Sequence, residues 1–552
     1  MTAIMALMED EKDDVVLLQL YQQEDESVRK ATDIVNIGTV LLVKEPYFKV
    51  LGDGGYGLRV DHLSDVVYLE KGDTRIPKEW RPRLVGMTVT AESLKLKGNA
   101  AVGEGKYREA ITEYSVALSQ SATMTEVEVI ERNRALAYLK TKQFDAALSD
   151  TEFPLFPPKP SDKALFRAAE ALYYLGRYSE CCDVLGVLCA AFPDNAQASE
   201  ILDRARSRLL ERKLGTYDFK KLQSKAMKLR LPHFDAATYI CPVEIRQTKL
   251  RGRGLFVTKP VKVGDLLLCE KAFSRAHVTQ GEEGNDEDGS KITFLLNIKT
   301  NRGFLGAQAD LIRSIVQKLH RNPSIASAFT TWSHGPNARR AFIGDLMIVR
   351  ATRDLEPGTK ITFWYAKGAD AKAVGETLKH WGFVCDCAIC LDFRATKAAV
   401  VAERKKLIDG MKRAYENPRG IQTDKVERAL EALDKTFTRP AHEVPRLLLW
   451  DSQLALTRVY AEQNNVAKCL ESAGKTLTLL GFIVVGVDSL TTGFTVLQWG
   501  LMMDHVVEVF LHIKAAFAAM GADKDAVYAH GCARNAYQIV VGEGSSFDAT
   551  YG

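Results

Sequence analysis

The spacing of hydrophobic positions changes along the chain, and each change predicts a different kind of element. Near the start, Thr39–Val50 and Leu58–Leu69 are strand-like runs flanking GDGGYG (Gly52–Gly57). Glycines between two such runs predict a β-hairpin. A phosphate-cradling loop needs a helix after the glycines and a lysine at fixed spacing, and a strand pattern follows instead. The acidic stretch before them, Glu9–Lys30, predicts a helix. From about Ala91 the period becomes helical and repeats. Gly98, Ala110, Tyr114 and Ala117 set a small–large pattern; Ala135, Tyr138 and Ala147 repeat it, and Ala169, Leu172, Cys181, Leu185 and Pro193 repeat it again. The steps from Ala110 to Ala147 to Cys181 are 37 and 34 residues. Small residues let paired helices approach and large ones fill the gap, so each repeat buries its face on the next. Cys181 and Cys182 are adjacent on a helix, so their side chains diverge and read as apolar fillers rather than ligands. Residues 196–232 predict a capping helix and a basic linker, Arg204–Arg230, whose charges read as a solvated face.

Strand patterns return in the middle of the chain. LRGRGLFVTKPVKVGDLLLCEKAF (Leu250–Phe273) predicts a tight glycine turn at Arg251–Gly254 and strands at Leu255–Thr258 and Asp265–Cys269. An acidic, glycine-rich loop (Gly281–Gly289) and an amphipathic helix (Ala307–His320) follow. Phe342–Arg350 is then an apolar run with β-branched residues, Leu355–Gly358 carries a Pro-Gly turn, and Ile361–Tyr365 alternates as a strand. Cys385, Cys387 and Cys390 form C-x-C-x2-C, the spacing of thiolates gathered on one metal. Beyond residue 396 the period is helical again, over Lys397–Tyr415, Asp424–Thr436, Glu443–Gln463 and Val466–Leu480, with further helices near Leu497–Met520 and Lys524–Val541.

Composition narrows the function classes. A length of 552 residues predicts three or four domains, and 26% charged with 46% hydrophobic residues is ordinary globular usage. A net charge of +4 names no partner, and no clustered basic stripe of the kind nucleic-acid binders carry is present. The ten cysteines fall singly or in the one metal-spaced cluster, which predicts a reducing compartment with free thiols. No apolar run reaches membrane-spanning length, Leu479–Val487 being too short, and the N-terminus lacks a basic region followed by an apolar core. The expectation is an intracellular protein, cytoplasmic or nuclear, with neither membrane nor direct nucleic-acid binding.

The stretch from Pro336, PNARRAFIGDLMIVRATRDLEPGTKITFWY and then WGFVCDCAIC, resembles the C-terminal half of a SET domain with its post-SET zinc segment. RGRG followed by GLFVTKPVKVGDLLLCEK resembles the N-terminal half. With helical repeats near the tetratricopeptide unit of about 34 residues, the chain is identified as a member of the fungal proteins that join such repeats to a SET domain. These are similar to the SET-and-MYND lysine methyltransferases. The MYND finger is absent here, because residues 274–335 hold no cysteine or histidine cluster. The resemblance implies an α+β multidomain chain. Residues 1–90 form an N-terminal segment with a hairpin, 91–212 the repeats, 213–240 a linker, 241–395 the β-rich SET domain with its zinc segment, and 396–552 a C-terminal helical array.

The resemblance also implies site residues. Tyr365 matches the family's catalytic tyrosine, Gly252, Arg253 and Gly254 the turn that approaches the methionine end of S-adenosylmethionine, and Phe383 the aromatic stacked on its adenine. Cys385, Cys387 and Cys390 imply zinc, whose fourth ligand in the family is a cysteine within Asn-His-Ser-Cys-x-Pro-Asn. Here that motif reads Thr331, Trp332, Ser333, His334, Gly335, Pro336, Asn337, which puts His334 on the ligand position. Thr331 and Trp332 cannot reproduce the Asn-His hydrogen bonds to adenine. Phe329 and Thr330 stand near the position of a family tyrosine, and Lys360 stands where a carboxylate is common. Point changes in an intact domain and a block missing just before Pro336 both account for this. The abrupt edge, with close agreement only from Pro336 onward, favours the second. Two functions follow: a protein-lysine methyltransferase acting on a histone or other protein, its cofactor motif degenerate or truncated, or a non-catalytic scaffold whose repeats bind protein partners.

Overall fold

The computed structural model describes residues 4–551 except 25, 27–28, 53, 70–72, 81–89, 121–122, 155–160, 249–251, 277–293, 298–301, 329–336, 364–374, 377–383, 417–420 and 488–492. The chain begins with strands β1 (Ile4–Glu9), β2 (Val15–Leu20), β3 (Val40–Val43), β4 (Tyr47–Val50), β5 (Tyr56–Val60) and β6 (Val66–Leu69). One sheet has the order β1-β2-β5-β4, with β2 and β5 parallel, and β3 pairs with β6. The helix expected over Glu9–Lys30 is therefore corrected to a hairpin and the loop after it. The acids that suggested a helix surface build the turn instead, where the Asp10 carboxylate accepts from the amides of Lys12 and Asp14. The glycine hairpin forms as expected, with Val50 opposite Tyr56 and Gly54 at φ +85°.

The repeats follow as helix pairs α1 (Ala91–Gly103) with α2 (Tyr107–Leu118), α3 (Met124–Lys140) with α4 (Phe144–Ser149), and α5 (Asp162–Tyr174) with α6 (Tyr178–Ala191). Helix α7 (Ala196–Leu214) then caps the array. Thr90, Thr123 and Ser161 each accept an amide hydrogen bond at a helix start. A Cβ placed on Gly98 would meet the Tyr114 ring at 2.5 Å, so only glycine lets α1 and α2 come this close. The basic linker is in part helical: α8 (Phe219–Lys228) packs half-buried Phe219, Leu222 and Ala226 against the cluster of Phe234 and Tyr239 and turns its lysines outward.

Strands β7 (Tyr239–Ile240), β8 (Val243–Thr248), β9 (Gly252–Val257) and β10 (Leu266–Lys271) come next. The turn expected at Arg251–Gly254 is corrected: Gly252–Gly254 lie within β9, paired to Thr248–Arg246 of β8. The segment that follows adds a hairpin, β11 (Phe294–Asn297) with β12 (Arg302–Leu305), and α9 (Ala307–Arg321). The run Phe342–Arg350, read as one strand, is part of a hairpin of β13 (Ala338–Ile343) and β14 (Leu346–Ala351). Gly344 at φ +57° makes the turn that composition did not reveal. These strands join the earlier ones in a sheet of order β13-β14-β10-β7.

The C-terminal part contains α10 (Ala388–Ala395), α11 (Ala398–Tyr415), α12 (Thr423–Asp434), α13 (Trp450–Glu462), α14 (Val466–Leu479), hairpin β15 (Ile483–Val485) and β16 (Thr495–Gln498), α15 (Val506–Ala519), α16 (Asp523–Val541) and α17 (Phe547–Tyr551). The helix expected from Leu497 begins only at Val506. Gly500 passes so close to the Leu480 carbonyl that a Cβ there would lie 2.5 Å from it, a contact a continuing helix cannot make. Phe482, Phe510, Phe517 and Phe547 are fully buried in this core.

The chain divides into two compact units, Met1–Leu209 with Phe273–Thr330, and Leu210–Ala272 with Thr331–Gly552. In the second, buried Arg350 of β14 donates to the carbonyls of Gly542 (3.1 Å) and Gly264 (2.9 Å), fastening the strands to the end of α16. No described helix is long and apolar enough to cross a membrane.

Candidate active site and metal centre

Two segments a hundred residues apart in sequence come together around β9. Ile361 donates to the Leu255 carbonyl at 2.7 Å, Val257 to Thr359 at 2.9 Å, and Gly358 back to Val257 at 2.8 Å. Val261 and Leu355 exchange both backbone bonds. Asn337, 3% exposed, pins the same crossing. Its Oδ1 accepts from the Thr362 amide (2.8 Å), its Nδ2 donates to the Lys360 carbonyl (2.9 Å), and its own amide donates to Thr362 (3.0 Å). One buried side chain thus holds residues 360–362 against the start of β13. Of the strand expected over Ile361–Tyr365, the described residues form no regular strand; the segment meets β9 through a single bridge of Lys360 with Phe256 and the backbone bonds above.

The structure puts Gly252, Arg253 and Gly254 together on β9, opposite Thr248, Gln247 and Arg246, with Arg253 exposed. Gly254 is buried, and a Cβ there would lie 3.0 Å from Lys360 Cε and 3.1 Å from the Phe256 ring. A side chain there would press on Lys360 and Phe256 where the two segments cross, so glycine gives the closest approach. Tyr365, Phe383 and His334 lie outside the described residues, as do Thr331, Trp332, Phe329 and Thr330. The described chain stops two positions short of Tyr365, at Phe363, which packs in the strand core beneath the Arg340 guanidinium at 5.1 Å.

The cysteine cluster is compact. The sulfurs of Cys385, Cys387 and Cys390 all lie within 4.8 Å of one another. Cys387 caps α10, accepting from the Cys390 amide at 3.5 Å, and Arg394 donates to the Cys385 carbonyl at 2.7 Å. Burial first, then the neighbouring thiols, pushes the Cys387 and Cys390 thiols up from their ordinary range. Zinc–sulfur bonds of about 2.3 Å imply tetrahedral sulfur separations of about 3.8 Å, so the three donors fit zinc with a small inward movement. All ten cysteines are free thiols, as their spacing implied.

A second feature lies on the repeats: a cavity of about 440 Å³ walled by α3, α5 and α7. Lys140, Lys163, Arg167 and Arg204 line it against Asp162 and Glu170. The Arg167 guanidinium donates to the Arg132 carbonyl, and burial, together with nearby Arg132, lowers it to about 10. Arg204 lies 5.1 Å over the Tyr173 ring, and Tyr174 beside it is 57% exposed. The sequence reading did not single these residues out. The signal was there in Lys163 and Arg167, four residues apart on the inner helix of a repeat.

The paired segments, the Asn337 crossing and the thiol cluster define a SET-type β module in a chain that also carries a tetratricopeptide array. The SET domain family matches residues 252–366. A methyltransferase of Gibberella zeae is 32% identical over 625 aligned positions, covering 98% of this chain and 85% of that protein. This chain belongs to that family of SET-domain methyltransferases with tetratricopeptide repeats. Human protein-lysine N-methyltransferase SMYD4 is 26% identical over 192 residues, 32% of this chain and 24% of that protein. Human tetratricopeptide repeat protein 12 is 38% identical over 91 residues, 16% of this chain and 12% of that protein. Among solved structures, the second repeat domain of human RPAP3 in complex with the HSP70 peptide SGPTIEEVD aligns with TM-score 0.19 and 29% identity, over 21% of this chain and 94% of that one.

Proposed function

We propose that this chain is an S-adenosylmethionine-dependent protein-lysine methyltransferase whose cofactor motif before Pro336 is altered enough to weaken cofactor binding. The observation that supports the framework is the bonding of β9 to residues 358–361, which holds the segment leading toward Tyr365 against the strand that carries Gly252, Arg253 and Gly254. Bound S-adenosylmethionine supplies an electrophilic methyl group. The chain's own task is to orient the lysine amine and keep it neutral against a free pKa of about 10.4, which an apolar channel does by desolvation. Tyr365 would orient the amine through its hydroxyl, and Phe383 would hold the adenine of the bound cofactor. Cys385, Cys387 and Cys390 would hold zinc, with His334 as the candidate fourth ligand, and the metal would clip the segment after the tyrosine without entering the chemistry. The altered motif, Thr331 and Trp332, removes hydrogen bonds to the adenine. The alignment to the Gibberella zeae protein runs over 625 positions, more than the 552 residues here, so that protein carries stretches this chain lacks, in keeping with a missing block.

Calorimetric titration tests this reading. Cofactor binding weaker than about 100 µM, restored when Thr331–His334 is replaced by Asn-His-Ser-Cys, supports it, and micromolar binding by the unaltered chain refutes the damage. Loss of methyl transfer in Tyr365→Phe of the restored chain tests the catalytic assignment.

The cavity on the repeats favours a second role alongside: capture of an acidic protein segment. Four cations against two acids, one of the cations half-buried and with no carboxylate in ion-pair contact among the described residues, make a groove suited to carboxylates. The nonapeptide SGPTIEEVD is a suitable probe. Binding that disappears in Lys163→Glu/Arg167→Glu supports the role, and binding that survives this double change removes it.

A further inference from the structure

Helix α4 has only six residues, and its own N-cap position, Gln143, offers no side-chain hydrogen bond. The cap comes from a residue 178 positions later. Asn322, at the end of α9, accepts from the amides of Phe144 (2.6 Å) and Asp145 (3.3 Å), and its Nδ2 donates to the Lys142 carbonyl (3.0 Å). Asn322 is 3% exposed, and its amide is used on both sides. Ser324 extends the grip, its amide and hydroxyl bonding the Asp145 carboxylate at 2.9 and 2.6 Å. The insert of the SET region thus takes the place of a missing cap in the second repeat.

The capped turn is also a wall of the groove. The Phe144 ring stacks on Tyr174, centroids 4.9 Å apart and planes 15° from parallel, and Tyr174 lines the cavity. On the other side of the turn, Lys140 lines the cavity two residues before Lys142, whose φ of +61° marks a tightly bent backbone. Asn322 therefore holds a turn that is joined to the cavity wall through Phe144 on Tyr174 and through Lys140. The chain that carries Asn322 enters and leaves the SET strands at both ends: β10 ends at Lys271, and β13 begins at Ala338.

We infer that the insert is the regulatory element through which the repeat groove is read: an acidic peptide seated on Lys163, Arg167 and Arg204 braces the α3–α4 turn and tightens the hold of Asn322, steadying α9 and the turn after it. The inference rests on the groove reading above. Coupling between two sites is reciprocal, so whatever the peptide does for the insert, the insert does for peptide affinity.

Two measurements on the full chain test it, with SGPTIEEVD as the probe. In the unaltered protein, saturating peptide slows amide exchange across 307–328 at least severalfold. In Asn322→Ala, peptide affinity falls roughly fivefold or more, the low end of measured couplings, while exchange in α1 and α2 stays as it was. If the peptide binds the unaltered chain, exchange in 307–328 does not change and Asn322→Ala binds equally well, the coupling is wrong and the groove reading stands. If the unaltered chain does not bind the peptide, or binds it undiminished in Lys163→Glu/Arg167→Glu, the groove reading falls and the coupling with it.

Discussion

Asp345 shows how one side chain fixes a turn that composition alone does not announce. It follows Gly344 in the β13–β14 turn, and its carboxylate accepts from the Phe234 amide (3.1 Å) and from Lys271 (2.9 Å), with His233 Nδ1 at 2.6 Å. Burial alone would push this carboxyl up, but the bonds to Lys271 and His233 outweigh it and hold the group below the usual aspartate range. A carboxyl lowered on folding adds stability that is fully present above its unfolded pKa of about 3.9 and is lost as pH falls through the lower folded value. Asp345→Asn should therefore cost stability at neutral pH and show a shallower loss between about pH 5 and pH 3 than the unaltered chain, read by urea unfolding at each pH. Arg350 makes the complementary case. Its guanidinium, brought to about 10 by burial, bonds two carbonyls that no other described side chain serves. Arg350→Leu should cost about 3 kcal/mol or more, because two buried acceptors lose their donor, and Arg350→Lys should recover only part of it. At this scale the sequence revealed residue types but not partners. Gly98 and Cys181 were legible as packing positions because a repeat imposes them. Asp345 with His233, or Asn322 with Phe144, pair across more than a hundred residues and leave no local pattern.

Helices were easier to read than strands, and the reason is physical. A repeat helix states its period over three or four turns, whereas β1 and β2 are six residues each and interrupted by acids that the turn itself uses. Phe342–Arg350 had the right composition for a strand, yet a single glycine with positive φ folds it into two. The hairpin β15–β16 inside the helical array was missed because its strands, of three and four residues, are too short to state a period. The thiol cluster was legible because metal spacing is a local property, and the structure brings all three sulfurs together. Zinc there would act on elements rather than on chemistry, tying the segment before Cys385 to α10. Purified protein should then contain about one zinc per chain. Chelation, or Cys390→Ser, should raise amide exchange across 384–396 and lower the melting temperature by several degrees, as loss of about 1–2 kcal/mol implies. Exchange in that segment indifferent to chelator would count against the clip.

Over the whole molecule, the SET region is split by its own insert. Phe273–Thr330 belongs to the unit of the N-terminal strands and the repeats, while the strands before and after it belong to the other. Nothing in the local pattern announces this, because the bonds that decide it join residues about three hundred positions apart. Glu24 is the point where they meet. Its side chain is 10% exposed and faces three guanidinium groups: Arg108 of α2, Arg321 of α9, and Arg29 at 3.7 Å. Gln317 adds a bond to the Gln22 carbonyl at 3.3 Å. Burial lowers both Arg29 and Arg321, so each cation here depends on the one carboxylate. Removing the acid leaves three positive charges gathered and partly desolvated, a change of the kind that costs about 3–5 kcal/mol. Glu24→Ala should therefore loosen three distant pieces together. Amide exchange should rise in 15–20, in 107–118 and in 307–321, while 338–351 keeps its protection. Glu24→Asp should restore little, because its shorter side chain does not reach all three guanidinium groups. Should exchange rise only around residue 24, the junction would be a surface ion pair and the insert would owe its place to Asn322 and Ser324 alone.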